Sequence, residues 1–268
     1  MPRANSQPHR CGRRTAAVVL WCLTWLGGCA GQTREPWGAR WPSAGELGAA
    51  AVSAARSPGT WAPLAAAAVL SVGDLDQDLS DWAADRQPLF GADAESASDD
   101  LRRIANAAWL VTALVAPSDS LAGKAGGLTV GVAALGLENA VTGGIKSAAG
   151  RRRPDASDDR SFSSGHAGSA AAAAALARRN LDYLDLPMWV DTSLRLGLHG
   201  IAAGTGWARV EARKHYATDV LVGLAVGHFV AAFMHEAFMN PARPPMTVSY
   251  QAVSGGGALT LTLRAGPW

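Results

Sequence analysis

The chain has 268 residues, enough for one sizeable domain with an appendage. A net charge of +2 excludes a nucleic-acid partner held by bulk charge, so any functional positive charge must be local. Nearly half of the residues are hydrophobic, but 30 glycines and the all-alanine run 170–175 make that content small-sided, which favours close helix–helix approach.

Arg3, Arg10, Arg13 and Arg14 precede an uncharged stretch over 15–26 that is rich in Val, Leu and Trp, and Leu26-Gly27-Gly28-Cys29 follows at once. A basic start, a short apolar core and small residues before a cut describe a secretory signal. The Leu-Gly-Gly-Cys ending resembles the bacterial lipobox, in which the cysteine is lipidated and becomes the first residue of the mature protein. Residues 1–29 are therefore expected to be a lipoprotein signal, with Cys29 as the lipid-bearing residue and the tie to a membrane; a plain membrane anchor is the other reading. The remaining cysteines, Cys11 and Cys22, lie inside that segment, so the mature chain has no pair for an internal disulfide. The expected setting is the cell envelope on the periplasmic side, tethered to the outer membrane, with integral inner-membrane placement as the alternative.

Residues 30–55 mix Pro, Gly, Trp and charge before an alanine-rich stretch, and read as a tether leading into a helix near 46–55. The apolar segment 61–73 reads as a helix, Pro63 weakening a membrane-spanning assignment. Asp74, Asp76, Asp78, Asp81 and Asp85 then crowd together. A calcium loop of that register needs glycine at its sixth position, where Leu79 stands, so these residues read as solvated acids capping a helix at 79–84. Helices are expected at 99–115, where Leu101, Ile104, Ala105, Ala108 and Trp109 fall at helical spacing, and at 121–146, 166–179, 188–203 and 217–239. Residues 246–253 and 258–264 alternate in β fashion around Ser254-Gly255-Gly256-Gly257, a hairpin signature. The fold class expected is all-α with a small C-terminal β-hairpin, divided as 1–29, 30–55, 56–240 and 241–268.

Three segments carry chemistry. In the first, Lys146 and Arg153 bracket a helix end near Gly150, with Pro154 stiffening the turn; Arg suits bidentate contact with phosphate oxygens and Lys adds a point charge. Arg151 and Arg152 read as a solvated basic loop. The second, Ser163-Ser164-Gly165-His166, opens an alanine-rich helix whose free N–H groups favour an anion. There Ser164 adds a hydroxyl, Gly165 allows close backbone approach, and His166 is placed to protonate a leaving oxygen. The third holds His215 and Asp219, four apart, which would stack on one helix face, with Arg209 reaching the same anion. A carboxylate beneath an imidazole fixes its tautomer, so His215 is the candidate nucleophile. His166, His215 and Asp219 could ligate zinc, but the surrounding cations oppose a divalent ion, and no metal or cofactor is expected. His199, His228 and His235 read as structural or exposed.

These spacings resemble the type 2 phosphatidic acid phosphatase (PAP2) and haloperoxidase superfamily, whose signature is Lys, six residues, Arg-Pro; then Pro-Ser-Gly-His; then Ser-Arg, five residues, His, three residues, Asp. Lys146, Arg153 and Pro154, then Ser164, Gly165 and His166, then Arg209, His215 and Asp219 match; Ser163 and Ala208 stand where Pro and Ser are usual. The resemblance covers about residues 60–238 and implies a helical bundle with the site at one end. It also implies a metal-free phosphatase in which His215, oriented by Asp219, forms a phosphohistidine and His166 handles protons. Lys146, Arg153, Arg209, Ser164 and the Gly165 N–H would hold the phosphoryl oxygens. The expected partner is a phosphorylated small molecule or lipid. A vanadate-dependent haloperoxidase or a non-catalytic anion-binding lipoprotein is the alternative, and neither substrate identity nor oligomeric state follows from the sequence. Uncharged runs in the helical part do not exceed 17 residues, which favours a compact bundle over full membrane spans.

Overall fold

The computed structural model describes residues 36–239 and the backbone of two strands at 246–253 and 256–263. The expected signal and the lipidation site at Cys29 lie outside the described residues. Among the described residues eight α-helices form the body of the fold: α1 (Ala44–Arg56), α2 (Pro58–Leu70), α3 (Leu75–Arg86), α4 (Ala94–Val115), α5 (Leu121–Ala149), α6 (Gly165–Leu181), α7 (Met188–Glu211) and α8 (Ala217–Phe238). A helical bundle was the expectation, and this is one. The hairpin, β1 (Met246–Val253) with β2 (Gly256–Leu263), pairs antiparallel from Met246–Leu263 to Val253–Gly256.

Helix α6 is the axis. From Ala167 to Leu181 all but one of its residues are buried, so its alanines form a core rather than a stripe. It packs against α8, α4, α7 and α5. Small side chains on both sides let α6 and α8 touch through their backbones. A Cβ on Gly227 of α8 would stand 2.0 Å from the Gly168 carbonyl oxygen of α6, and one on Gly223 would stand 2.4 Å from the Ser164 oxygen. Neither obstacle is a side chain that could turn away. Gly227→Ala is therefore expected to cost about 2–3 kcal/mol net of its better helix propensity, and to lower Tm by roughly 5–10 °C. Gly136→Ala, on α5 with nothing within 4 Å of the new methyl, is expected to leave Tm unchanged or raised; differential scanning calorimetry reads both.

Large apolar residues are placed the other way round. Trp61 and Val69 on α2, Leu110 and Leu114 on α4, Val132 and Leu137 on α5, and Trp189 and Leu196 on α7 are all exposed. Small residues inside and large ones outside is the pattern of helices whose surroundings are as apolar as their interior. Among the described residues two helices, α5 and α8, are long and apolar enough to cross a membrane. They differ in surroundings: the apolar window of α8 is 67% buried, as a core helix is, whereas that of α5 is 28% buried.

The expected tether is held at Trp37 and at Arg40, whose N–H donates to the Phe238 carbonyl at 2.8 Å. Trp37 is buried, its Nε1–H donates to Asn180 Oδ1 at 2.9 Å, and its backbone N–H donates to the Pro117 carbonyl at 2.9 Å. The chain before α1 is thereby fixed to α6 and to the α4–α5 turn.

Candidate active site

Three helix ends meet at one end of α6. Helix α5 stops at Ala149 because Gly150 takes the left-handed conformation, φ 56°, that closes a helix at least cost in glycine. This turns the chain so that Arg151 and Arg153 point back toward α8. Helix α6 starts at Gly165 with Ser164 as its N-cap, the hydroxyl accepting from the Ala167 N–H. Helix α7 runs eight residues beyond its expected end, so Arg209 lies in its last turn. Backbone bonds tie the segments together. The Ser164 N–H donates to the Asp219 carbonyl at 2.9 Å, and the Asp155 N–H to the Arg213 carbonyl at 3.0 Å. Arg153 donates to the Lys214 carbonyl at 3.1 Å.

His215 does not lie on a helix with Asp219. It precedes α8, which begins at Ala217, so the expected stacking of the pair on one face does not form. The His215 Nδ1 instead stands 2.7 Å from the Ser161 carbonyl oxygen and 3.8 Å from Asp219 Oδ2, beyond hydrogen-bond reach. A carbonyl only accepts, so Nδ1 carries the hydrogen and Nε2 keeps its lone pair. Burial, with Lys146 and Arg209 nearby, overrides the opposing pull of Asp219 and brings the His215 pKa down to about 4. The ring is buried and neutral near pH 7.

Asp219 is committed elsewhere. Its Oδ2 accepts from the Ser161 hydroxyl and, at 2.9 Å, from the Tyr216 N–H at the mouth of α8. Its Oδ1 accepts from Arg151 at 2.8 Å. Arg151 is thus no solvated loop residue: its guanidinium bridges Asp219 and Asp76 and lies 3.9 Å over the Tyr216 ring centroid. Asp76 departs from expectation too. It is buried, and it accepts from the Thr218 N–H at 2.8 Å.

Lys146 and Arg209 both act on His215, whereas the Arg153 Nε is paired with Asp158 at 2.6 Å. Arg209 is buried, the only hydrogen bond of its side chain among the described residues is to Ser98 Oγ at 3.3 Å, and its Nε has no partner. Burial pushes its pKa down. The Lys146 Nζ donates to the Arg160 carbonyl at 2.9 Å, and its Cε lies 3.8 Å from where a Cβ on Gly165 would stand. Gly165 thus keeps the lysine close to the first turn of α6, whose N–H groups have no partner within the helix. The hydroxyl of Ser163 is buried and unpartnered. Buried donors without a partner, here Arg209 Nε and Ser163 Oγ, suit a phosphoryl group.

His166 faces α4, which sequence patterns did not connect to the site. Its Nε2 stands 2.9 Å from Asp99 Oδ1, and Arg102 shares that oxygen at 3.3 Å. Burial and Arg209 lower the His166 pKa against the pull of Asp99. Asp99 and Arg102, with Ser98 behind Arg209, lie on one helical face of α4 and form the wall opposite α8. Among the described residues no three His, Cys, Asp or Glu side chains stand close enough to hold a metal ion. The other histidines are structural: His228 bonds Ser57 Oγ at 2.8 Å, His235 packs edge-on to Tyr183, and His199 bonds Arg178.

The sequence profile of the PAP2 superfamily matches residues 127–243, from the middle of α5 to the end of α8. Among solved structures, a similar fold is that of the first transmembrane PAP2-type phosphatidylglycerolphosphate phosphatase from Bacillus subtilis. It is 22% identical, with a TM-score of 0.50 over 69% of this chain and 93% of that one. No curated protein sequence matches the chain.

Proposed function

We propose that the chain, whose residues 127–243 match the profile of the PAP2 superfamily, is a phosphatase that hydrolyses phosphate monoesters or lipid (di)phosphates without a metal, through a phosphohistidine at His215. The observation that carries this reading is the buried, neutral His215 ring, its Nδ1 hydrogen spent on the Ser161 carbonyl and its Nε2 lone pair left for the substrate. Lys146, Arg153, Arg209, Ser164 and the Gly165 N–H hold the phosphoryl oxygens. His215 Nε2 attacks phosphorus as the bond to the leaving oxygen breaks, and His166 gives that oxygen a proton. An arriving phosphate dianion raises the proton affinity of His166, which burial and Arg209 otherwise keep low. Water then attacks phosphorus, His166 takes its proton, the P–N bond breaks, and phosphate leaves with His215 restored.

The same reading places the protein on a membrane at the cell envelope, tethered through Cys29 on the periplasmic side of the outer membrane. The exposed apolar flank of α5, with the exposed faces of α2 and α4, supports contact with lipid and a lipid phosphate as substrate.

The deciding experiment measures phosphate release by the full chain in detergent with chelator, from p-nitrophenyl phosphate, phosphatidic acid and an isoprenyl diphosphate. A rapid alkaline quench in SDS after 32P-labelled substrate completes it. The expected result is chelator-resistant release and a protein-bound label that survives base and is lost in acid, as a phosphoramidate is. Release that stops with chelator, or none from folded protein on any substrate, overturns the proposal.

A further inference from the structure

The two residues that the sequence patterns left at the surface, Asp76 and Arg151, are the ones most tightly built into the back of the site. Arg151 donates to Asp219 Oδ1 and Thr218 Oγ1 at 2.8 Å through one guanidinium nitrogen, and to Asp76 Oδ2 at 2.8 Å through another. Asp76 is buried on α3 and takes both the N–H (2.8 Å) and the hydroxyl (2.6 Å) of Thr218 in the first turn of α8. The Arg151 carbonyl also accepts from the Ser161 N–H at 2.9 Å, and the Ser161 carbonyl is the group that holds His215. Arg151 therefore acts twice on Ser161, the residue that holds His215. Its side chain fixes one oxygen of Asp219, which leaves the other to Ser161 and Tyr216, and its backbone seats Ser161.

We propose, on the phosphatase reading above, that Asp76 and Arg151 are a positioning pair that sets the orientation of His215 through Asp219 and Ser161. Arg151 spends its guanidinium on Asp219, Thr218 and Asp76. Among the described residues, its side chain also lines a cavity of about 490 Å³ with Asp76, Thr218, Leu64 and Phe162, and it is 35% exposed there. A group that aims the nucleophile without touching the phosphoryl oxygens governs kcat and leaves KM alone. The cavity adds a second consequence: a guanidinium removed by mutation can be replaced from solution.

The test uses the full chain with Arg151→Ala, Arg151→Lys and Asp76→Asn. Misplacing a nucleophile by about 1 Å costs on the order of 100-fold, so Arg151→Ala is expected to lose about 100-fold in kcat with KM within threefold. Asp76→Asn, which weakens the brace without removing it, is expected to lose about tenfold. Ethylguanidinium added to Arg151→Ala should restore kcat along a saturating curve, and should do nothing to wild type. Lysine, which cannot bridge two carboxylates bidentately, should rescue poorly. A rise in KM at constant kcat, or an unchanged kcat, overturns the proposal. So does absence of rescue in a variant whose melting curve matches wild type.

Orientation is also read without turnover. The His215 Nδ1–H resonance, identified by its loss in His215→Ala, should broaden or shift in Arg151→Ala and Asp76→Asn. If wild type releases no phosphate, the phosphatase reading fails while this signal still decides the brace. An unmoved resonance in both folded variants overturns it.

Discussion

Replacing His215 by alanine is expected to abolish phosphate release, with kcat/KM falling by at least about 10⁴-fold, because removing a nucleophile removes the covalent route and leaves only binding and electrostatic stabilisation. KM is a poor guide to this variant, since the phosphoryl contacts proposed for Lys146, Arg153 and Arg209 would survive it. No acid-labile label should form. His166→Ala, by contrast, should slow both steps by about 10²–10⁴-fold yet still allow labelling when the leaving group is as acidic as p-nitrophenol. The pH dependence separates the two roles. His215 must be neutral to attack, and its pKa of about 4 means that the neutral form prevails above that pH. On the His215 side, kcat/KM is therefore expected to stay flat from neutrality down to about pH 4, and then to fall tenfold for each further unit as the ring takes up a proton. An acid limb near 6.5 would mean that His215 behaves as a solvated imidazole, and that its burial does not shape the reaction.

The depth of that burial was not legible from the motif. Lys146, Arg153, Ser164, His166, Arg209, His215 and Asp219 could be picked out because their spacing is local. Each set lies within a dozen residues, and the chain brings the three sets together through backbone bonds at helix ends. What could not be read is what each helix end meets. Asp99 reaches His166 from 67 residues away and Asp76 reaches Thr218 from 142, and no periodicity links such pairs. Asp76 sits in an acidic run in which Asp74, Asp78 and Asp85 are exposed and Asp81 is half-buried, so composition made all five look alike. One misreading had a usable signal. A helix start at Ala217 puts Asp219 in the first turn, where an acidic side chain serves the free N–H groups, and leaves His215 outside the helix. The four-residue spacing looked like a helical stack only because the start was not weighed against it.

The bundle itself was legible from its small residues, but which large residues face outward was not. Leu137 and Trp109 look equivalent in an apolar helical pattern, yet Trp109 is buried and Leu137 is exposed. The alanine core of α6 decides this, since it leaves little room for large side chains between helices. An interior so thin gains less from burial per residue than a Leu-rich one, and close backbone contact, as at Gly227, carries more of the stability.

Arg209→Met is expected to be more stable than wild type and nearly inactive. Arg209 is 6% exposed, its hydrogen bond to Ser98 is long, and its Nε has no partner. Glu95, Asp99 and Asp155 act on it only at a distance. A desolvated guanidinium without a bonded carboxylate is a cost to folding, and apolar replacement of buried charge commonly gains 1–4 kcal/mol. Methionine fills much of the same volume, so a gain of about 1–2 kcal/mol and a Tm rise of roughly 2–6 °C are expected. The catalytic loss should be about 10³-fold in kcat/KM, the scale of one preorganised donor aimed at developing phosphoryl charge. Ligand linkage distinguishes the two effects. Inorganic phosphate binds the folded site alone, so it should raise the Tm of wild type with concentration and raise that of Arg209→Met much less. A variant that melts lower than wild type would show that Glu95 and Asp99 already balance the charge, and that the site is a structural ion cluster. A variant that melts higher, binds phosphate weakly and turns over slowly would show that stability is given up at Arg209 to keep a cation ready for an anion that is not yet there.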